Sequence, residues 1–358
     1  MTKLQTKLLL QENIPLAPLT TLKVGGAARF FVEAKTRDEI IEAVEFAEKN
    51  NLPLFILGGG SNVLISDDGF DGLVLHINRG RIATVIERYG NVFIRVDAGV
   101  DWDRFVTFCV NRNLAGLECL SGIPGLVGAT PIQNVGAYGQ EVSETILVVS
   151  VLDRKTGEVF EMRNADCQFS YRASIFNTTE KNRYIVLYVV FVLKQNGAPK
   201  IVYRDLREFF GERTPTLKET RAAVLKIRRA KSMIIRKSDP NSKSAGSFFK
   251  NPIVTNEKFA EVVEKAESLK IEKVPQFKVD EKTVKIPAAW LIEQSGFHKG
   301  FKLGNAGIST RHTLAIVNLG DATARDILNL KDEIQAKVKE RFNIELKPEP
   351  VFVGFGKN

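Results

Sequence analysis

The spacing of apolar residues changes period twice in the first third of the chain. "AARFFVEA" (27–34) reads as a strand, and "TRDEIIEAVEFAEKNN" (36–51) then puts Ile40, Ile41, Val44 and Ala47 on one helical stripe. Thr36 can cap that helix, and Glu39 completes a capping box. "LPLFILGGGSNVLISDDGFDGLVLHI" continues as a strand, a glycine turn and two more strand-like pieces. From 80 to 213 the pattern predicts strands at 92–99, 146–153 and 184–193 and a helix after Asp101. Among them runs "GLECLSGIPGLVGATPIQNVGAYGQEV" (116–142), with glycine at 116, 122, 125, 128, 136 and 139. So many glycines imply backbone that must lie very close to something. After "GERTPTLKE" the chain becomes basic and helical. An α+β segment follows, with helices near 256–268 and at 323–342, the piece "IPAAWLIEQSG" (286–296) and a strand at 314–320. Ile327, Leu330, Ile334, Val338 and Phe342 form the stripe of the last helix. "IELKPEPVFVGF" ends the pattern as a strand interrupted by prolines, and no internal repeat or low-complexity linker is visible.

At 358 residues the chain exceeds what one ordinary core accommodates, so two or three domains are expected. Hydrophobic residues at 44% and charged residues at 26% are ordinary globular values, so the chain should fold. The longest apolar run, "YIVLYVVFVL" (184–193), is about half of what a bilayer span needs and reads as a buried strand. No membrane insertion is expected, and "MTKLQTKLLLQENIPLAP" lacks the features of a secretory signal, so the expectation is a cytoplasmic protein. Cys109, Cys119 and Cys167 form no C-x-x-C pair, which leaves no disulfide framework or zinc site and suggests buried thiols. His76, His298 and His312 are not spaced as metal ligands, which argues against a Ser-His-Asp hydrolase and most metalloenzymes; no metal is expected. The net charge of +9 gathers in "LKIRRAKSMIIRKSDPNSK" (225–243). It fits an anionic small ligand, a solvated face or a nucleic acid, but no RNA-binding aromatic signature accompanies it, and no nucleic-acid partner is expected.

Two motifs carry candidate chemistry. In "LGGGSNVL" (57–64) the successive N–H groups of Gly58, Gly59, Gly60, Ser61 and Asn62 could line a concavity that holds a diphosphate. The loop lacks the G-K-[S/T] of a P-loop, and no helix follows as in the dinucleotide fingerprint; a simple tight turn is the competing reading. Together with the second glycine passage it suits a long ligand such as FAD. In "SAGSFFKNP" (244–252) Ser247 stands between the flexible Ala245-Gly246 and the stiff Phe248-Phe249. Either this is a turn with two core phenylalanines, or the serine is placed to deliver a proton.

"TTLKVGGAARF", "LGGGSNVLISDDGFDGLVL", "GLECLSGIPGLVGATPIQNVGAYGQEV", "FSYRASIF", "SAGSFFKNP", "IPAAWLIEQSG" and "LKPEPVF" occur in this order between residues 20 and 355. The sequence thereby resembles the UDP-N-acetylenolpyruvoylglucosamine reductases, flavoenzymes of bacterial cell-wall synthesis, over nearly its whole length. The resemblance implies an α+β chain with a vanillyl-alcohol-oxidase-type FAD-binding fold. It implies two α+β FAD-binding subdomains, 1–80 and 81–220, the second joined by the 345–358 strand, and a smaller α+β substrate-binding domain at 221–344. Gly58, Gly59, Gly60, Ser61 and Asn62 would hold the FAD diphosphate, and Ser121, Gly122, Gly125, Gly128, Ala129, Gly136 and Ala137 would run along the cofactor. Neither glycine segment contains a histidine for covalent attachment, so the FAD is expected to be dissociable.

The implied reaction has two halves: NADPH reduces FAD and leaves, and UDP-N-acetyl-enolpyruvoylglucosamine then enters the same site. Hydride arriving at the terminal methylene carbon pushes negative charge onto the next carbon and its carboxylate, and that charge needs groups in place before it develops. By resemblance, Arg172 would brace the carboxylate with its planar fork. Glu349 would assist if it keeps its proton, which calls for burial, and Ser247 would protonate the carbanionic carbon. Tyr203 and Lys231 match family positions on the substrate diphosphate, with Asn251, Tyr171 and Gln294 as further substrate contacts. Lys237 competes with Lys231, because "SMIIRKSDPNSKSAG" is longer than the corresponding stretch in many members. Tyr203 points to the subgroup that closes a tyrosine loop over the substrate, and a monomer is expected. An FAD oxidase of the same fold, acting on a sugar or alcohol, is the alternative enzyme.

Overall fold

A computed structural model describes residues 8–78 and 80–356. Contacts divide the chain into two units: 1–14, 28–60 and 70–234 in the first, and 15–27, 61–69 and 235–358 in the second.

The first unit begins with a parallel core. Strands Ala27–Ala34 and Leu54–Leu57 both pair in parallel with Phe70–Ile77, and Gln11–Pro15 edges the sheet. Helix α1 (Arg37–Lys49) connects the first two of these parallel strands, and its capping box is formed as the sequence predicts, by Thr36 and Glu39. Its Ile40, Ala43, Val44 and Ala47 are buried in the same core as Val32, Leu73 and Leu75 of the sheet. A second sheet is antiparallel, in the order Val159–Arg163, Ile146–Asp153, Tyr184–Gln195, Asn91–Asp97, Ile82–Arg88. Helix α2 (Trp102–Asn111) packs on it: the ring of Phe105 lies 4.9 Å from that of Phe191 in the central strand. Two further helices, α3 (Arg204–Phe210) and α4 (Leu217–Ala230), share a small core with Cys119 through Leu206, Phe210, Ala223 and Val224.

The second unit holds helices α5 (Asn256–Ser268), α6 (Ala288–Gln294) and α7 (Ala324–Phe342) and two small antiparallel sheets. All five residues of the anticipated stripe on α7 are buried. Asp67, just after the Val63–Ile65 strand, accepts the N–H groups of Ala324 (2.7 Å) and Arg325 (3.0 Å) and so satisfies two of the orphan donors at the start of α7. One expectation is corrected. The C-terminal strand Val351–Val353 does not join the sheet of the 81–220 region; it pairs in parallel with Val63–Ile65. Pairing there gives the backbone of 63–65 hydrogen-bond partners.

Burial pushes all three cysteine thiols upward from their ordinary range, and all three are buried and unpaired. Among the described residues no helix is long and apolar enough to cross a membrane, and no group of three or more His, Cys, Asp or Glu is arranged to hold a metal ion.

Candidate active site

Backbone built without side chains makes the glycine part of the candidate site in the first unit. A Cβ on Gly59 would fall 2.7 Å from the Cα of Gly125, and one on Gly58 would fall 3.6 Å from the Cβ of Ala129. The two glycine passages read from the sequence therefore meet in the first unit, flush against one another. Gly128 is equally tight, its N–H bonded to the Ala98 carbonyl at 2.9 Å and a Cβ reaching within 2.5 Å of the Ala98 Cβ. Ser121 is fully buried, and its hydroxyl donates to the Glu118 carbonyl at 2.6 Å. Gly122, at φ 71°, donates its N–H to Asp103 at 2.6 Å. Gly136 and Ala137 pair with Glu141 and Gln140 across a turn formed by Tyr138 (φ 50°) and Gly139 (φ 80°).

Arg172 is held by this same passage. Its Nη2 donates to the Gly136 carbonyl at 2.6 Å, and its backbone takes the left-handed region at φ 55°. That conformation is uncommon for a non-glycine residue. Here Ser170 and Ala173 exchange backbone hydrogen bonds on either side (2.9 and 3.1 Å), and Asn177 donates to the Arg172 carbonyl at 3.2 Å. Tyr171 lies beside it, the guanidinium 5.2 Å from the ring centroid.

Tyr203 precedes α3 and is 39% exposed, its ring perpendicular to that of Tyr138 at 5.5 Å. Lys231, at the end of α4, has its Nζ 2.6 Å from Asp205 in the first turn of α3. Lys237, its competitor, is exposed and belongs to the second unit.

Ser247 and Glu349 are brought together in the second unit. The Glu349 N–H donates to the Phe248 carbonyl at 2.8 Å, and Phe248 donates to the Leu314 carbonyl at 2.7 Å. Phe248 and Phe249 are buried with rings 5.5 Å apart, so the bland reading of this motif is correct about its flank. Ser247 itself is only half-buried, as is Glu349. Asn62 donates to the Glu349 carbonyl at 3.2 Å, which ties the end of the first glycine loop to this pair. The Asn251 side-chain Oδ1 accepts the Ala288 N–H at 2.8 Å and anchors the start of α6, the helix that ends at Gln294.

Whether these residues fit FAD is tested by one atom. Arg228 is 7% exposed, and its Nε finds no acceptor among the described residues. A Cβ on Gly122 would lie 3.5 Å from that nitrogen. Burial lowers the guanidinium from its ordinary range, against the pull of Tyr138 and Asp103, and burial pushes Tyr138 up to about 12. A buried cation with an unsatisfied donor beside closely packed glycine backbone fits a long ligand rich in acceptor oxygens, as FAD is.

Residues 28–163 match a family model described as an FAD binding domain, and 239–353 one described as UDP-N-acetylenolpyruvoylglucosamine reductase, C-terminal domain. The chain is 44% identical to the UDP-N-acetylenolpyruvoylglucosamine reductase of Thermobifida fusca, over 96% of this chain and 98% of that one. It belongs to that family. The reductase of Streptomyces coelicolor is 46% identical over 96% of this chain and 90% of its own. The crystal structure of the Thermus caldophilus reductase, at 27% identity, superposes with a TM-score of 0.63 over 96% of this chain and 99% of that one.

Four side chains of this family member escaped the sequence reading: Asp103, Glu118, Tyr138 and Arg228. Two left a signal. Arg228 continues the buried stripe of α4 set by Leu217, Thr220 and Val224, where a charge is out of place. Glu118 sits between apolar Leu117 and Cys119 inside the glycine passage, and all three are buried. Asp103 looks like an ordinary acidic residue in the first turn of α2, yet it holds Arg221 through both carboxylate oxygens at 2.6 and 2.7 Å.

Proposed function

We infer that this chain catalyses the NADPH-dependent reduction of the enolpyruvyl ether of UDP-N-acetylglucosamine to the D-lactyl ether, giving UDP-N-acetylmuramate for peptidoglycan synthesis. The observation that carries this reading is 44% identity over 96% of the chain to a reductase of that name, joined to closely packed glycine backbone with an arginine Nε that lacks an acceptor beside it.

The chemistry that bound FAD would supply is hydride transfer, from NADPH to the terminal methylene carbon of the substrate. Arg172 binds the substrate carboxylate, and the Gly136 carbonyl and the closed 170–173 turn keep its fork oriented before charge develops. Ser247 donates its hydroxyl proton to the carbon next to that carboxylate. Serine is a weak acid, but an enolate-like intermediate is basic enough, and the buried phenylalanines behind it supply fixed positioning. Glu349, whose N–H is bonded to the Phe248 carbonyl beside Ser247, would assist on the same charge if it keeps its proton. Tyr203 and Lys231 receive the substrate diphosphate, for which Lys231 gives up part of its pairing with Asp205, and Tyr171, Asn251 and Gln294 complete the substrate contacts. We assign 1–80 and 81–220 chiefly to FAD and 221–344 chiefly to the substrate; the FAD binding domain model matches 28–163 and the reductase C-terminal model 239–353. We read the protein as a cytoplasmic monomer.

The absorption spectrum of the purified protein tests this. A flavin band that NADPH bleaches and UDP-N-acetyl-enolpyruvoylglucosamine restores supports the reading. Oxygen uptake with a sugar or alcohol, without NADPH, would replace it by an oxidase.

A further inference from the structure

We propose that Glu118 is a positioning residue that ties the cofactor passage to the tyrosine receiving the substrate diphosphate; this rests on the reading of Tyr203 given above. Glu118 is 1% exposed. Its Oε2 accepts the Gly116 N–H at 2.8 Å, and its Oε1 accepts the Lys200 N–H at 2.9 Å and the Gln140 side-chain amide at 3.1 Å. Those three donors come from three stretches of chain: the start of the glycine passage, its closing hairpin, and the segment that leads into Tyr203. Gln140 returns a bond through its Oε1 to the Cys119 N–H at 2.9 Å, and the Cys119 thiol donates to the Lys200 carbonyl at 3.2 Å.

The knot reaches the Tyr203 ring from two sides. Lys200 lies three residues before Tyr203, and a Cβ on Gly139 would come within 2.5 Å of Val202 Cγ2. Tyr138, next to Gly139 in the hairpin, has its ring perpendicular to that of Tyr203 at 5.5 Å. The carboxylate thus fixes both the loop that carries Tyr203 and the ring that Tyr203 leans on.

A carboxylate is the group this position requires. It offers acceptors only, and three N–H donors converge on it. A glutamine there would turn an NH2 toward one of them. Rotating the Gln140 amide to compensate would withdraw the acceptor from Cys119, so one donor is left buried without a partner in either arrangement. The loosened segment is the one bearing Tyr203, which predicts an effect on substrate affinity.

The test uses the holoenzyme with Glu118→Gln, Tyr203→Phe, the double variant and Asp153→Asn. Asp153 is a comparably buried carboxylate, held by Arg183 at 2.7 Å on the sheet, and it has no part in the site. Glu118→Gln should raise KM for UDP-N-acetyl-enolpyruvoylglucosamine about tenfold, the scale of one lost buried hydrogen bond. The rate at which saturating NADPH bleaches the flavin should stay within about twofold, as expected for loss of binding contacts outside the chemical step. Tyr203→Phe should raise KM as well, and the double variant should be no worse than about the larger single effect. Asp153→Asn should lower Tm and leave KM unchanged. A Glu118→Gln enzyme that loses Tm but keeps its KM overturns the proposal, and so do multiplicative effects in the double variant. An unchanged KM in Tyr203→Phe locates the failure in the diphosphate reading of Tyr203 and removes the inference with it. Should Glu118→Gln not fold, Gln140→Met cuts one arm of the same knot and should raise KM about threefold; an unchanged KM in that variant counts against the proposal.

Discussion

The role proposed for Ser247 depends on its neighbours. Phe248 and Phe249 are sealed in the core of the second unit, while the serine between them and Gly246 stays half-buried. Ser247→Ala should therefore keep NADPH bleaching of the flavin within about twofold while slowing reoxidation by substrate about 10²- to 10⁴-fold, the usual range for a positioned acid. Stopped-flow absorbance separates the two half-reactions, and normal reoxidation would remove Ser247 from the mechanism. Arg172→Lys keeps the charge but not the fork and should lower turnover by roughly 10²-fold or more, measured at saturating substrate. The serine motif was legible in sequence because its flanking residues are so unlike one another. Arg228 was not, since a basic helix surrounds it and only its place on the buried stripe of α4 distinguishes it.

Elements with local stop and start signals were read well. Thr36 with Glu39 predicts the beginning of α1, and period-3.6 spacing finds α7 with all five stripe residues buried. That stripe is what holds α7 to its unit: Ile334→Ala should cost about 2–5 kcal/mol, read from urea unfolding, whereas a change at exposed Asp332 should cost under about 0.5 kcal/mol. The partner of the closing strand was misread for a physical reason. Strand pairing joins positions far apart in sequence, here 63–65 with 351–353, and no local pattern records which edge a strand will find. The passage 116–142 carries only two-residue strands and short 3-10 turns, so its bonds run to side chains such as Glu118 and Asp103 instead of along a periodic ladder.

For the molecule as a whole, acid should act through carboxylates held below their ordinary range. Burial alone would raise Asp103, but the bond from Arg221 and the Gly122 N–H outweigh it, and the bond from Arg183 lowers Asp153. A carboxylate lowered in the folded state binds fewer protons there than in the unfolded chain. Its contribution is present above the ordinary value of 3.8 and is lost as pH falls below it. Asp103→Asn should thus be less stable than the parent at pH 7 yet lose less on going to about pH 3; equal losses in urea melts at the two pH values would exclude Asp103 as a source. FAD adds to stability by mass action, about 2.7 kcal/mol at 100 times its Kd, so Tm should rise with added FAD.

The abutting glycines at 59 and 125 leave no room for even one methyl group between the two turns. Anyone retuning this enzyme for another cofactor, by randomising either turn alone, would be selecting among variants that all push the opposite turn away. Productive diversity there has to be sampled in matched pairs.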